Sequence, residues 1–328
     1  MSREVKEIII IGSGNWGLTL ASVFADNLSC RVWTLNAELA EQINQNRESP
    51  GGFFKYPLPK SLVVEEKYTN GFDENKTLFI FAVPSSQVGK VAEELSNYCK
   101  SPLIMSVSKG FDAERQYTMS QLIGHYLPQS VVIVLTGPTI ANEVAEGKPT
   151  RAVLASNDLM HLAMVKQALI NDLLFFEVSR NPVHHEICAA LKGLVAIAVG
   201  MADGLGLGAN IQGLLMTQGI REIGVVASFF GISENIAYGI SGCGDLIATC
   251  ISDYSRNRRL GKVLAEGLTV DEALKDVQMT VEGVAMSRTI ETLWSLNVSI
   301  PLIHMVNNVL LRTTSDIRAQ LHKVIKNL

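Results

Sequence analysis

The first half of the chain alternates short apolar runs with segments of helical periodicity. Most of the apolar runs are continuous rather than interrupted at every second position, which is typical of parallel strands buried on both faces of a sheet. They predict strands at residues 7–11, 31–35, 78–83, 103–107, 131–135, 152–155 and 174–178, with helices such as 16–27 and 86–98 between several of them. This alternation predicts an α/β fold whose N-terminal part is a doubly wound sheet with right-handed crossovers.

After about Asn181 the pattern becomes purely helical. Pro182 is placed to begin a helix, and the apolar character then continues to Met201, until the glycine-rich residues 204–210 interrupt it. This apolar stretch carries Lys192 near its middle and is shorter than a membrane span. We therefore expect a buried helix and no insertion into a membrane.

Length and composition refine this picture mainly by exclusion. A chain of 328 residues is long enough for two domains, which we place at residues 1–185 and 186–328, with a ligand-binding cleft between them. Hydrophobic residues make up 47% and charged residues 18%, a balance that argues against disorder. The formal net charge of -4, without a basic run longer than a pair, argues against binding to nucleic acid or to a membrane surface.

Cysteine and histidine usage bears on location and on metal binding. The five cysteines are odd in number and lack CxxC spacing, so we expect reduced thiols rather than disulfides or a zinc site. The adjacent His184 and His185 have no acidic or cysteine partner at ligand spacing, so no metal site is predicted. The chain begins without the pattern of an export signal, and we expect a cytoplasmic protein.

The first predicted strand leads directly into a glycine-rich turn, G-S-G-N-W-G, that opens a helix. Gly12 permits the tight turn, Gly14 lets the backbone approach a pyrophosphate, and Gly17 allows close packing of helix on strand. The helix N-terminus adds free N–H groups and a partial positive charge. Because strand, turn and helix agree, the sequence predicts a dinucleotide site in the first domain.

The end of the second predicted strand bears on the choice of cofactor. It reads V-W-T-L-N and ends at Asn36, where an enzyme restricted to NAD usually carries Asp or Glu for the ribose hydroxyls. The absence of that carboxylate permits the 2′-phosphate of NADP, but no arginine at the strand end requires it. The choice between NADH and NADPH stays open.

Four polar segments interrupt the apolar sequence and are candidates for substrate chemistry. Lys109 follows the carboxyl end of a strand, where sheet proteins bind ligands. Lys192 lies in an apolar helix, where an unpaired ammonium would cost several kcal/mol, so it needs a partner or a function. The turn at residues 136–141 offers backbone donors, and residues 242–259 offer an acid, Asp245, followed by a cationic cluster.

These segments, taken in order, resemble the glycerol-3-phosphate dehydrogenases. The matching motifs are G-S-G-N-W-G, S-K-G-F, L-T-G-P-T-I-A-N-E-V, A-A-L-K-G, G-L-G-L-G-A-N, G-D-L-I-A-T-C, S-R-N-R-R and V-E-G-V, spread over roughly residues 8–305. The resemblance implies NAD(P)-dependent, reversible reduction of dihydroxyacetone phosphate to sn-glycerol 3-phosphate, which supplies the glycerophospholipid backbone. It implies NADPH or NADH as cofactor and a small phosphorylated substrate. For such a helical second domain we also expect a homodimer.

The resemblance also assigns roles to individual residues. Lys192 matches the catalytic lysine, which protonates the carbonyl oxygen as hydride arrives, Asp245 matches the acid that orients it, and Lys109 matches a second lysine near the reacting carbon. The implied substrate contacts are Lys109, Gly137, Thr139, Lys192, Asp245, Thr249, Ser255, Arg256 and Asn257. The implied cofactor contacts are Gly12, Gly14, Asn15, Trp16, Gly17, Asn36, Lys109, Ala141, Arg256, Thr280 and Glu282.

Three positions depart from the family's usual pattern. Gly193 follows the catalytic lysine where the family usually has asparagine, Ala209 replaces an aspartate, and Gln218 replaces an arginine. The first change removes an amide expected to contact the substrate. Two alternatives therefore stay open, namely a dehydrogenase of a related phosphorylated hydroxy compound and a catalytically silent dinucleotide-binding regulator. A lyase or isomerase that uses the lysine as a Schiff base would have no use for the glycine turn.

Overall fold

The computed structural model of the protein describes residues 4–50, 57–67, 71–277, 281–294, 298–312 and 316–328. Its contacts divide the chain into two compact units, one comprising Met1–Ser108 and Met119–Val183, the other Lys109–Thr118 and His184–Leu328. A short segment from the first half of the chain thus belongs to the second unit. The domain boundary expected after residue 185 stays a prediction.

The described residues form ten strands. In chain order they are β1 (Glu7–Ile11), β2 (Ser29–Thr34), β3 (Val63–Glu66), β4 (Thr77–Phe81), β5 (Leu103–Ser106), β6 (Phe111–Asp112), β7 (Tyr117–Thr118), β8 (Val131–Thr136), β9 (Thr150–Ala155) and β10 (Leu174–Ser179). The seven predicted strands are all present, with ends shifted by no more than two residues. The sequence did not predict the short strands β3, β6 and β7.

Fourteen helices are formed within the same residues. They are α1 (Asn15–Phe24), α2 (Ala37–Asn46), α3 (Ser85–Leu95), α4 (Met119–Tyr126), α5 (Ala141–Ala145), α6 (Leu159–Ala168), α7 (Pro182–Gly204), α8 (Gly208–Phe229), α9 (Asp245–Ile251), α10 (Arg256–Ala265), α11 (Val270–Val277), α12 (Glu282–Trp294), α13 (Pro301–Leu310) and α14 (Ile317–Asn327). Between α8 and α9 the chain makes a 3-10 turn, Glu234–Tyr238, and a π-helical turn, Ile240–Gly244.

The first unit is built on an eight-stranded sheet in the order β10-β9-β8-β5-β4-β1-β2-β3. β1 pairs in parallel with β2 on one side and with β4 on the other, so the strand order reverses beside β1. Its residues Ile8, Ile9 and Ile10 are completely buried, as the continuous apolar run requires of a central strand. The predicted Rossmann-like doubly wound sheet and the helical second part are confirmed.

One strand pair departs from the predicted parallel arrangement. β8 and β9 are antiparallel, with Leu135 opposite Leu154, whereas β9 and β10 are parallel again. The connection between β8 and β9 contains α5, a helix of five residues, which rises only about 7 Å. A parallel crossover must return along a strand of about 20 Å. The short connection instead lets the chain double back.

The second unit is organised around α7. By length and composition, α7 is the one helix in the described part of the chain that could cross a membrane, but 89% of its most apolar window is buried inside the protein. It begins at Pro182 and ends at Gly204, where the sequence predicts these events. The prediction of a buried helix is confirmed.

Glycines let α7 and α10 approach until their backbones touch. A Cβ atom added at Gly200 would lie 2.0 Å from the carbonyl oxygen of Arg258, and one added at Gly261 would lie 2.0 Å from that of Ile197. Both distances are far shorter than an ordinary contact of about 3.5 Å. Only glycine fits at either position, and the contact fixes the first turns of α10 against α7.

We predict that Gly200→Ala destabilises the protein by at least about 2 kcal/mol, because the added methyl group forces the two helices apart. Gly213→Ala in α8 is the matched control, since a Cβ there meets nothing within 4 Å. The control should leave stability unchanged or raise it by about 0.5–1 kcal/mol through helix propensity. Urea unfolding followed by circular dichroism measures both variants, and equal effects would contradict the packing argument.

Glu222 of α8 is buried and caps the N-terminus of α13. Its carboxylate oxygens accept hydrogen bonds from the backbone N–H groups of Leu302 and Ile303, both at 2.8 Å, and from the side-chain amide of Gln218 at 2.9 Å. Burial raises the pKa of Glu222, and the three hydrogen bonds oppose this effect without cancelling it. Because Gln218 stands where the resembled family usually has arginine, this donor is neutral.

Because the pKa of Glu222 is raised in the folded state, the protein loses stability as the pH rises through that pKa. Above it, folding buries a charged carboxylate. We predict that Gln218→Arg lowers the pKa of Glu222. The difference in free energy of unfolding between this variant and the wild type should therefore grow, in favour of the variant, by about 1 kcal/mol from pH 5 to pH 8. Urea unfolding at the two pH values measures the gain. Thr217→Arg adds the same charge at the exposed neighbouring position. An equal pH-dependent gain in that control would show that Glu222 is not the cause.

Candidate active site

Two lysines of the second unit share one buried carboxylate. The Nζ atom of Lys109 lies 2.8 Å from Oδ2 of Asp245, and Nζ of Lys192 donates to Oδ1 of the same side chain. Asp245 is only 2% exposed and Lys192 7%. Three residues that lie far apart in the sequence, and to which the family resemblance assigns catalytic roles, are therefore in contact.

The local backbone explains how Asp245 reaches this position. It is the first residue of α9 and directly follows the π-helical turn Ile240–Gly244. Within that turn a Cβ atom at Gly242 would lie 2.3 Å from the carbonyl oxygen of Ala237, so the turn can close only around glycine. Gly242 therefore serves the backbone that carries the acid.

Thr249, one helical turn after Asp245, also fixes the side chain of Lys192. Lys192 Nζ donates to Thr249 Oγ1 at 2.9 Å, while the hydroxyl of Thr249 donates to the carbonyl oxygen of Asp245 at 2.6 Å. Since the hydroxyl proton is used in the helix, Thr249 can only accept from the lysine. The carboxylate and the hydroxyl together orient the Lys192 nitrogen.

The two lysines differ in the direction of their pKa shifts, although both contact the same carboxylate. The pKa of Lys192 is lowered to about 8, chiefly by burial and also by the charge of Lys109, against the opposing pull of Asp245. Burial also disfavours the charged form of Lys109, but the carboxylates of Asp245 and Glu282 outweigh it and raise its pKa. Lys192 is therefore the group that can exchange a proton near neutral pH, while Lys109 keeps its charge.

A buried histidine forms a hydrogen bond that links α7 to the π-helical turn. The sequence analysis did not predict this contact. Nδ1 of His185 lies 2.7 Å from the hydroxyl of Ser241, at the beginning of the π-helical turn. Burial lowers the pKa of His185 to about 4, so it stays neutral. His185 precedes Lys192 by two helical turns, so helical spacing already places both on one face of α7.

The predicted phosphate-binding residues lie at the N-terminus of α10. The hydroxyl of Ser255 caps the helix by accepting from the N–H of Arg258 at 3.2 Å. Arg258 forms ion pairs with Asp203 and Asp253, and Arg259 with Asp276. Arg256, by contrast, has no ion pair with any other residue that the structure describes. Of the cationic cluster, it is the side chain whose charge is not already compensated.

Asn257 is held in one orientation. Its Oδ1 accepts the backbone N–H of Gly283 at 3.1 Å, so its Nδ2 must point away from that group. The Nδ2 atom lies 3.2 Å from the position that a Cβ atom would take at Gly193. Glu282, the other predicted contact in this segment, is the first residue of α12. The predicted contact Thr280 lies outside the described residues.

In the first unit, the glycine turn has the features that a dinucleotide site needs. Gly12 has a φ angle of +120°, which favours glycine, and a Cβ at Gly17 would lie 2.1 Å from the Gly12 carbonyl oxygen. A Cβ at Gly14 would meet nothing within 4 Å, so the backbone is open to a ligand. No side chain caps α1, which begins at Asn15 and Trp16, and its first N–H groups can bind an anion.

Two further predicted regions of the first unit are well defined. Asn36 caps α2 by accepting the N–H of Leu39 at 3.0 Å, and the preceding Thr34 accepts from the Ser13 hydroxyl at 3.0 Å. Thr34 thus links the end of β2 to the glycine turn, and Asn36 links it to α2. In the second region, Thr139 donates to the carbonyl oxygen of Gly137 at 3.1 Å, just before Ala141 begins α5.

Two buried hydroxyls lie at the ends of strands, and the sequence analysis assigned no role to either of them. The hydroxyls of Ser106 and Thr136, at the carboxyl ends of β5 and β8, are buried without a hydrogen-bond partner among the described residues. Within the same part of the chain, no three His, Cys, Asp or Glu side chains are grouped to hold a metal ion. The absence of a metal site stays a prediction.

Comparison with known proteins identifies the class. Residues 7–162 match the family described as NAD-dependent glycerol-3-phosphate dehydrogenase N-terminus, and residues 181–319 match the corresponding C-terminus. The chain is 35% identical to glycerol-3-phosphate dehydrogenase [NAD(P)+] of Fusobacterium nucleatum, over 93% of this chain and 92% of that one. It is 36% identical to the enzyme of the same name from Halorhodospira halophila, over 92% and 91% of the two chains.

Solved structures agree with the sequence relatives. Glycerol-3-phosphate dehydrogenase from Coxiella burnetii is similar with a TM-score of 0.92 and 27% identity, over 98% of this chain and 99% of that one. A probable 2-dehydropantoate 2-reductase from Bacillus subtilis is similar in fold alone, with a TM-score of 0.58 and 12% identity over 96% and 99% of the chains.

The protein is thus an oxidoreductase of the class that uses a nicotinamide dinucleotide. Within that class, the chain belongs to the family of NAD-dependent glycerol-3-phosphate dehydrogenases. The family membership, the enzyme class and the nicotinamide cofactor predicted from the ordered motifs are confirmed. The roles of individual site residues stay predictions.

We predict that Asn36→Asp raises the ratio of kcat/KM with NADH to kcat/KM with NADPH about tenfold or more. A carboxylate at the strand end accepts from the ribose hydroxyls and repels a 2′-phosphate, and aspartate preserves the helix cap. Initial rates with each cofactor measure the ratio. Asn46→Asp adds the same charge at the exposed end of α2 and should leave the ratio unchanged. If the two variants behave alike, Asn36 does not face the ribose.

Proposed function

We propose that the protein catalyses the reversible NAD(P)-dependent reduction of dihydroxyacetone phosphate to sn-glycerol 3-phosphate and so supplies the backbone of glycerophospholipids. The observation that carries this proposal is the pair of lysines on one carboxylate, with a pKa of about 8 for Lys192. Such a group is protonated often enough to act as an acid and is deprotonated often enough to act as a base. Its family relatives bear the name of this activity.

Each residue of the site has its own proposed role in the reaction. Lys192 gives its proton to the carbonyl oxygen of the ketone, and in the reverse direction it removes the proton of the hydroxyl. Lys109 stays charged and stabilises the negative charge that develops on that oxygen, which helps the transition state more than the ground state. Asp245 and Thr249 hold the Lys192 nitrogen in place. When bound, the nicotinamide supplies the hydride.

The phosphate of the substrate is assigned to the N-terminus of α10. Arg256 offers a planar, permanently charged donor group that suits a phosphate dianion, and Asn257 offers its Nδ2. Ser255, Gly137 and Thr139 are the further proposed contacts. Binding a phosphate remote from the reacting carbon orients the ketone and lowers the entropic cost of the reaction.

The proposed cofactor contacts fit the observed backbone. The glycine turn with Asn15 and Trp16 would hold the pyrophosphate, for which an uncapped helix N-terminus and the open space at Gly14 are suited. The remaining proposed contacts are Asn36, Lys109, Ala141, Arg256, Thr280 and Glu282.

The proposal also covers the domain organisation, the oligomeric state and the location of the protein. We propose two domains, at residues 1–185 and 186–328, in a homodimeric enzyme of the cytoplasm that does not insert into membranes. The small phosphorylated substrate is consistent with the family to which the chain belongs.

We predict that Lys192→Met lowers kcat for ketone reduction by about 10²–10⁴-fold, since methionine keeps the shape of the side chain but cannot transfer a proton. Absorbance at 340 nm with dihydroxyacetone phosphate and either NADH or NADPH measures the rate. Lys323→Met, at an exposed position of α14, is the control and should retain full activity.

The wild-type rate should also depend on pH with opposite signs in the two directions. Ketone reduction requires protonated Lys192 and falls as the pH rises past about 8, whereas alcohol oxidation requires the neutral amine and rises through the same range. If the wild type binds the cofactor but does not turn over this ketone, a screen of phosphorylated ketones tests the alternative substrate. If no compound is turned over, the chain is a binding regulator.

A further inference from the structure

The charges around the lysine pair do not balance if only the residues in direct contact are counted. Lys109 and Lys192 bring two positive charges to the single negative charge of Asp245, and Lys192 and Asp245 are almost completely buried. Unbalanced charge in a buried site is costly and favours loss of a proton. The nearby thiols cannot compensate, since burial raises the pKa of Cys188 and of Cys250 to about 12 and keeps both neutral.

A second carboxylate stands at this site on another helix. Glu282 is half-buried at the start of α12, and its charge acts on both Lys109 and Lys192. The charged groups that act most strongly on Lys192 are Asp245, Lys109 and Glu282, and these four side chains together carry no net charge.

Backbone contacts fix the beginning of α12 beside the lysines. A Cβ atom at Gly193, the residue after Lys192, would lie 3.3 Å from both N and Cα of Gly283. Asn257 accepts the N–H of Gly283 at 3.1 Å and so ties the same turn to α10. Helix α12 also packs against β6, which begins two residues after Lys109. Glu282 thus begins a helix that packs against Gly193, the residue after Lys192, and against β6, which begins two residues after Lys109.

This packing gives a reason for Gly193. A side chain at that position would press on Gly283 and on Nδ2 of Asn257, which lies 3.2 Å from the Cβ position. A Cβ at Gly283 would in turn lie 2.7 Å from Ile197 and 2.9 Å from Oδ1 of Asn257. The two glycines allow α7 and the first turn of α12 to approach closely, which brings Glu282 toward the lysine pair.

We propose that Glu282 is a positioning residue whose carboxylate is the second counter-charge of the Lys109–Lys192 pair. It acts through Lys192 by keeping that ammonium protonated until the ketone is bound. This inference rests on the proposed acid–base role of Lys192 and adds a second residue that controls it.

The test is the pKa of Lys192, measured directly in protein labelled with [13Cε]lysine. The Lys192 signal is assigned as the one that Lys192→Met removes. In Glu282→Gln the shape is kept and the charge is lost, and the midpoint of the Lys192 titration should move to lower pH by about one pH unit. Glu282→Asp should restore it toward the wild-type value. Glu266→Gln, an exposed acid at the end of α10, should not move it.

A second variant tests the packing argument. Gly193→Ala should move the titration in the same direction as Glu282→Gln, and the double variant should move it no further than Glu282→Gln alone. An unchanged Lys192 titration in Glu282→Gln, even with a raised KM for the cofactor, would overturn the proposal and leave Glu282 a cofactor contact only. Since the titration needs neither substrate nor cofactor, its result stands apart from whether the chain reduces dihydroxyacetone phosphate.

Discussion

The buried carboxylate of Asp245 is the interaction on which the second unit depends. Two ammonium groups can lie in an apolar interior only when an anion is held between them, because each unpaired charge would cost several kcal/mol. This requirement explains why α9 must begin where it does and why a glycine-rich π-helical turn precedes it. It also gives a reason for the segment Lys109–Thr118 to pack with the second unit rather than with the strands that precede and follow it.

The composition of α7 follows from its burial. A helix whose most apolar window is 89% buried must carry apolar side chains on most of its faces, and it must also pack closely against its neighbours. Gly200 provides the second property by letting α10 touch its backbone. The packing that stabilises the unit is therefore also what places the first turn of α10, with Arg256, against the helix that carries Lys192.

The sequence predicts what is encoded locally and misses what depends on distant contacts. Continuous apolar runs are sufficient to place the central strands, but β3 is only four residues long at the sheet edge, with Val63 exposed, and gives no comparable signal. The direction of β9 depends on the shortness of α5, which periodicity does not reveal. For the site, the cost of burying Lys192 indicates that a partner must exist. Its identification as Asp245, 53 residues further along the chain, required the family resemblance.

The two lysines show how one carboxylate can support two functions. Both ammonium groups bind Asp245, so their different pKa directions cannot come from that contact alone. Lys192 is buried within α7 and experiences the positive charge of Lys109, and together these lower its pKa. Lys109 follows a strand end and has Asp245 and Glu282 to offset its burial, so its pKa is raised. The roles proposed for the two lysines, proton transfer and charge stabilisation, can therefore separate because the environments of the two nitrogens differ while their partner is shared.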